Sequence, residues 1–254
     1  MTVIAILGLG EAGRTYALDL CDAGFDVTGF DPYRQLDDAR VAQMPTAQEA
    51  VAGADLAISL VGADAAEAVA RQALAHCPKH AVYADLNTGL PALKRRIAKL
   101  AAAEEVEFAD VAVLAPVAWQ GAGTPLIASG RGAEKFAELV RPAAVPVESI
   151  PGAAGAAAER KLLRSVFMKG LAAVLLEADA AAVAAGQQAW LRTQIVNELS
   201  GDIDRLVDRL VKGSKVHAAR RVHEAEDVAD YLTGIGQPSW VTTAAHTWLA
   251  SLLD

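Results

Sequence analysis

Cysteine is nearly absent from this 254-residue chain, where only Cys21 and Cys77 occur. Two thiols do not make a disulfide framework, and they match no metal-ligand spacing, so no metal site is expected. Blocks of basic residues are missing as well. With 23 Lys+Arg against 31 Asp+Glu the net charge is -8, which argues against nucleic acid or an anionic membrane as a partner. No stretch of about 18 apolar, uncharged residues is available to span a bilayer. The opening MTVIAILGLG lacks the basic segment of a signal peptide. A soluble, cytoplasmic protein is therefore expected. Aromatic residues contribute only 5%, so the apolar mass is Ala, Leu and Val, which suits helices and tightly packed parallel strands. What is present, 53% hydrophobic and 21% charged residues, can bury a sizeable core in one large domain or two modest ones.

The first 31 residues read as strand, glycine turn, helix and strand. Val3–Leu7 is a short continuous apolar run, as in a parallel strand buried on both faces. Gly8, Gly10 and Gly13 form G-x-G-x-x-G where that strand opens into a helix, so Gly8-Leu9-Gly10-Glu11-Ala12-Gly13 is the candidate pyrophosphate-binding turn. A second strand over 27–30 ends in Asp31, placed to accept hydrogen bonds from a ribose 2′-hydroxyl. A carboxylate there favours NAD, whereas Arg34, three residues on, keeps NADP open. Further strands are expected over 55–61, 80–85, Glu107–Val113, Leu126–Ser129 and 147–150, with helices over 64–77 and 90–105. This alternation implies a doubly wound parallel sheet of Rossmann type. Its carboxyl edge would carry Val61, Gly62, Asn87, Thr88 and the loop 114–125. Turn formation and helix capping account for Asn87-Thr88 equally well.

After Pro151-Gly152 the strand pattern stops, which sets expected domains of 1–152 and 153–254. Only helices follow, separated at Gly186, at Gly213 and within TGIGQPS. The first of them, from residue 155 to about 185, is unusually long for a globular protein. Lys161, Arg164, Ser165, Met168 and Lys169 share one arc, which turns apolar at Ala172, Leu175 and Leu176. Such a helix is expected to be buried nearly all round, with its cations in a wet cleft or against a ligand. An exposed basic patch at one end is the alternative. Burial of so long a helix in a small helical domain predicts a homodimer. Further on, Arg220 and Glu224 suit an i,i+4 ion pair, as do His223 and Asp227. Either this face is simply solvated, or His217 and Arg221 enter the cleft, from the same or a neighbouring subunit.

Together these residues resemble the β-hydroxyacid dehydrogenases, which include 6-phosphogluconate dehydrogenase and 3-hydroxyisobutyrate dehydrogenase. The opening GLGEAG resembles G-L-G-x-M-G, with Ala12 in place of Met. The segment from Asp110 is similar to D-A-P-V-S-G-G-x-x-G-A-x-x-G-T, with Gly123 and Thr124 at the expected spacing. Gly155 and Lys161 match the G-x-G-x-x-x-K of the long inter-domain helix. APVAWQGAGTPL, KLLRSVFMKG and HAARRVHEAEDVADYL resemble a branch of phosphogluconate dehydrogenase-like NAD-binding proteins whose C-terminal domain is uncharacterised. The resemblance implies that Lys161 is the catalytic acid/base and that Asn87-Thr88 stand near the nicotinamide.

The departures concern substrate. The family's Ser-Gly-Gly is Leu114-Ala115-Pro116 here, and Pro116 has no N–H to donate to a carboxylate. The family's Asn four residues after the lysine is Ser165, and Arg164 precedes it. The mechanism expected from these residues is hydride transfer between NAD(P) and a small anionic hydroxy acid, phosphorylated or not. Lys161, with a pKa lowered by desolvation and neighbouring cations, would exchange the hydroxyl proton. Ser165 would orient the substrate oxygen, and Arg164 would clamp an anionic group. Lys169 would tune the local field or bind anion, and Ala115, Pro116, Gly123, Thr124 and Arg221 would complete the substrate site. An imine reductase and a non-catalytic dinucleotide-binding protein are the alternatives.

Overall fold

Strand β1 (Val3–Leu7) sends alternate side chains into two apolar layers. Ile4 and Ile6 join the layer of Tyr16, Ala17 and Leu20 from helix α1 (Glu11–Asp22), while Ala5 and Leu7 join the other. A strand covered on both faces has no polar positions to offer, which explains its unbroken apolar sequence. The computed structural model, which describes residues 2–253, repeats this arrangement along the chain. The elements are β2 (Asp26–Phe30), β3 (Val41–Gln43), α2 (Ala47–Val51), β4 (Leu56–Ser59), α3 (Ala63–Leu74), β5 (Val82–Asp85) and α4 (Pro91–Ala103). Then come β6 (Glu107–Val113), the single turn α5 (Val117–Gln120), β7 (Leu126–Ser129), α6 (Ala133–Val140) and β8 (Val147–Ser149).

The strands form one sheet in the order β3-β2-β1-β4-β5-β6-β7-β8. The order reverses between β1 and β4, and a doubly wound sheet opens its crevice at such a switch point. Every neighbouring pair is parallel except β6 and β7, which run antiparallel with Asp110 opposite Ser129. The expected parallel alternation fails there because 114–125 contains only a four-residue α-turn and a three-residue 3₁₀ turn, too little for a parallel crossover. Four elements, β3, α2, α5 and α6, also lie where none was named from the sequence. Helix α2 starts at Thr46, whose Oγ accepts from the Glu49 N–H at 3.2 Å. Thr-x-x-Glu is a capping-box signature that the sequence displays.

The chain divides into two compact units, residues 1–164 and 165–254. Helix α7 (Ala156–Ala184) begins in the first and continues into the second, followed by α8 (Gln188–Leu199), α9 (Ile203–Val216), α10 (Ala218–Gly234) and α11 (Trp240–Ala250). No helix among the described residues is long and apolar enough to cross a membrane. The expected break at Gly213 is not found, since that residue lies inside α9. The chain breaks instead at Ser200-Gly201 and turns again at His217. Asp202 accounts for the first break, because its carboxylate caps α9 by accepting from the Arg205 N–H at 3.0 Å.

Within the second unit Glu177 of α7 reaches the start of α11, accepting from the N–H groups of Val241 and Thr242 at 2.7 and 2.8 Å and from the Thr242 hydroxyl at 2.7 Å. The Arg220 and Glu224 ion pair forms at 3.4 Å. His223 does not meet Asp227. It bonds Glu226, three residues on along the same helix, at 3.2 Å, and Glu226 also bonds His246 of α11 at 3.1 Å, so an i,i+3 partner replaces the i,i+4 one. The expected all-round burial of α7 is not met by this single chain either, since Val166, Phe167 and Leu176 are exposed.

Candidate active site

Two sites in the first unit lie where the topology directs ligands. At the switch point, Gly8 has φ +93°, and a Cβ there would come within 2.6 Å of the Leu60 carbonyl oxygen. Gly13 is tighter still, with a Cβ position 1.8 Å from the Gly8 oxygen, so only glycine lets α1 approach the strand end. Gly10 differs. It begins α1 with no side-chain cap, and a Cβ there would meet nothing within 4 Å. A helix N-terminus with uncapped N–H groups opening on free space suits a phosphate anion.

Asp31 is fixed beside it, accepting from the Leu9 N–H at 2.8 Å through one oxygen and from Tyr33 and Arg34 N–H groups through the other. Gly8, Gly10, Asp31, Tyr33, Arg34 and Val61 line a cleft of about 480 Å³. Within the turn, Leu9 is buried, Ala12 half-buried and Glu11 exposed. These residues fit a dinucleotide: the open helix N-terminus would hold the pyrophosphate and Asp31 the ribose hydroxyls.

The second site is at the carboxyl end of β5. Lys161 of α7 is half-buried, and its Nζ donates to Thr88 Oγ1 at 2.9 Å. A small void there is lined by Asn87, Thr88, Gly89, Ala158, Lys161 and Leu162 among others. Thr88 is exposed, so the pair is reachable from solvent. Asn87, by contrast, is 5% exposed and tied between strands. Its Oδ1 accepts from the Gly62 N–H at 2.7 Å, and its Nδ2 donates to Ser59 Oγ and Asp85 Oδ1. It caps no helix, since α4 begins at Leu90 without a side-chain cap.

Beneath this pair lies a group of buried polar residues that sequence reading missed. Lys94 is 1% exposed, and Asp85, Asp110, Ser59 and Ser129 are fully buried. Lys94 Nζ donates to the carbonyls of Asp85 and Asn87 at 2.8 and 2.7 Å and lies 3.2 and 3.6 Å from the carboxylates of Asp85 and Asp110. A signal was available. On α4, Leu93, Ile97 and Ala101 form the buried stripe, and Lys94 falls 20° beyond Ala101 at 100° per residue.

The other expected site residues lie on the 114–125 loop, on α7 and on α10. Ala115 is half-buried and Pro116 exposed at the start of α5, while Gly123 is exposed. Thr124 is buried, its hydroxyl donating to the Gly121 carbonyl at 2.8 Å. The loop is pinned to α1, where Asp19 accepts from the Ala122 N–H at 2.7 Å. Along α7, Ser165 is half-buried one turn after Lys161, and Arg164 and Lys169 are exposed. In the second unit Arg221 donates to Ser214 Oγ at 2.8 Å, and His217 is exposed where α9 gives way to α10. No group of three or more His, Cys, Asp or Glu residues among the described residues is placed to hold a metal ion.

Comparison with known proteins finds a matching family for most of the first unit. Residues 3–143 match the family described as the NAD binding domain of 6-phosphogluconate dehydrogenase, and 182–252 match a domain of unknown function (DUF1932). An uncharacterized 28.5 kDa protein of Methanothermus fervidus is 31% identical over 153 residues, 59% of this chain and 58% of that protein's own length. A conserved protein of unknown function, itself described as structurally similar to 3-hydroxyacid dehydrogenases, is 27% identical and has a TM-score of 0.65. That alignment covers 98% of this chain and 96% of the other. An imine reductase variant from Myxococcus stipitatus, in complex with NAD+, has a TM-score of 0.84 over 100% of this chain and 94% of its own. At 17% identity it shares the fold alone.

Proposed function

The chain belongs to the family of the NAD binding domain of 6-phosphogluconate dehydrogenase, with a hydroxyacid dehydrogenase-like fold, and from that premise we propose that it is a dehydrogenase of a small anionic hydroxy acid. The observation that carries the reading is the hydrogen bond between Lys161 Nζ and Thr88 Oγ1 at the carboxyl end of β5. Residues 1–152 would bind the dinucleotide, and 153–254 would supply substrate contacts and a homodimer surface. A nicotinamide held by those residues would supply the hydride acceptor for oxidation at the carbinol carbon, or the donor for the reverse reduction. Lys161, as the free amine, takes the hydroxyl proton as the carbonyl forms, and in reverse its ammonium gives that proton to the carbonyl oxygen. Thr88 orients the lysine nitrogen, and Ser165, one turn along the helix, orients the substrate oxygen. Arg164 binds the substrate anion bidentately, in place of the cradle that Leu114-Ala115-Pro116 cannot form. Asp31 favours NAD over NADP, because a second negative charge on the ribose would face a carboxylate.

The test is turnover by Lys161→Ala. Its kcat should fall by about 10²- to 10⁴-fold while NAD(H) binding stays intact. Turnover close to that of the unaltered protein overturns the assignment. Arg164→Ala should raise KM more for an anionic substrate than for its neutral analogue. Imine reduction is the second reading, favoured by the missing hydroxyl and N–H at Leu114 and Pro116. Faster reduction of cyclic imines than of keto acids would select it.

A further inference from the structure

We propose that Lys94 and Asp110 form a buried clamp that holds Lys161 against Thr88. The inference deepens the reading of Lys161 as acid/base and rests on it. One ammonium group reaches a neighbour of each partner of that hydrogen bond, rather than either partner itself. On one side Lys94 Nζ donates to the Asn87 carbonyl at 2.7 Å, one peptide before Thr88. On the other it lies 3.6 Å from Asp110 Oδ1, and Asp110 holds the opening turn of α7. Asp110 Oδ2 accepts from the Gly155 and Ala158 N–H groups at 2.9 and 3.1 Å, and Ala158 is three residues before Lys161. Ser129 completes this arm, donating to Asp110 at 3.2 Å and accepting from the Ala157 N–H at 3.0 Å.

The charges are also balanced for this purpose. Two carboxylates share a single ammonium, and the N-terminus of α7 supplies the remaining positive potential to Asp110. A buried ionic cluster is a poor source of stability, since its desolvation offsets most of the attraction and apolar residues of the same volume would serve as well. It does fix geometry. The Lys94 donors point at the main-chain carbonyls of Asp85 and Asn87, so the end of β5 cannot shift without leaving a buried polar group unmet, while Asp110 Oδ1 has no hydrogen-bond partner among the described residues and is held to the ammonium by charge alone. Acid/base chemistry needs that rigidity, because a displacement of about 1 Å at the reacting atoms can cost 10²-fold in rate.

The experiment uses the full chain with Lys94→Met, Asp110→Asn and Ser129→Ala, and Lys161→Ala alongside. Lys161 acetylation by acetic anhydride is followed by mass spectrometry without cofactor, with exposed Lys169 on the same helix as internal reference. The ratio of the Lys161 rate to the Lys169 rate should rise several-fold in Lys94→Met and Asp110→Asn, and less in Ser129→Ala. Turnover should show kcat lowered about 10- to 100-fold in the first two, with KM and NAD(H) affinity little changed. If Lys94→Met does not fold, the two milder variants decide. An unchanged ratio in folded Asp110→Asn and Ser129→Ala proteins, or equal rises at both lysines, overturns the clamp. If Lys161→Ala keeps its turnover, the acid/base reading fails, and the labelling ratio still judges the clamp.

Discussion

In the first unit Ile4, Ile6, Leu20, Leu56 and Ile58 are at most 1% exposed, whereas in the second Val166, Trp190, Val216, Trp240 and Trp248 are at least 62% exposed. All but four of the large exposed apolar side chains among the described residues belong to 165–254. Burying one such side chain contributes about 1.5–3 kcal/mol, so the two units stand in different positions. The first closes its core with its own residues. The second displays apolar surface of the kind that marks an interaction face, and this supports the proposed homodimer. An apolar cavity of about 410 Å³ between α7, α8, α10 and α11, lined by Val174, Trp190, Tyr231 and Val241, belongs to the same surface.

The contrast can be broken from either side. Gly13→Ala should have the largest effect, because its methyl would overlap the Gly8 carbonyl. We expect a loss of more than about 4 kcal/mol, seen as absence of the cooperative unfolding transition of the first unit. Next, Val166→Asp should turn the dimer into monomer in light scattering coupled to gel filtration. If the wild-type chain is already monomeric, the substitution should shift stability by no more than about 0.5 kcal/mol, and the dimer proposal falls.

Glu177→Ala tests what the second unit achieves alone. Burial by itself would push the Glu177 carboxyl up, but the Thr242 hydroxyl and the N–H groups of Val241, Thr242 and Trp240 hold it below its usual value. Its contribution is therefore fully present above the unfolded value of about 4.3 and disappears as pH falls through the lower folded value. The variant should lose about 1–3 kcal/mol at neutral pH in chemical denaturation, with the difference from wild type shrinking in acid. Arg220→Ala, on an exposed i,i+4 pair, should be the mildest, within about 0.5 kcal/mol by the same measurement.

Legibility in the sequence followed the range of the interactions involved. Gly8, Gly10 and Gly13 encode backbone geometry a few residues away, so the turn, its cleft and Asp31 could be read directly. Strand β3 has only three residues and no alternation to detect, yet Thr46 and Glu49 did announce α2. Lys94 sits in a Lys-Arg-Arg run that looks solvated, and only its angle on α4 shows that it points inward. Its partners come from β5 and β6, and no local pattern reveals such a meeting. Thr88 was placed at the carboxyl edge of the sheet by the strand alternation, and family resemblance added only its expected place near the nicotinamide, whereas Asp110 was noticed only as the start of a motif. The reversal of β7, which sets Ser129 opposite Asp110, had its mark in the short connection 114–125, which holds no helix long enough for a parallel crossover.

That reversal has a consequence for how the protein can change over time. The loop 114–125 leaves β6 and returns in β7, and the register of the two strands pairs Val113 with Leu126 beside the loop and Asp110 with Ser129 at the far end. A slip of one residue would turn Ser129 to the opposite face of the sheet. Sequence drift can thus explore the tip around Trp119, which is 81% exposed, without disturbing the base. A substitution at the tip therefore leaves the strand register intact, whereas one that shifts the register moves Ser129 away from Asp110.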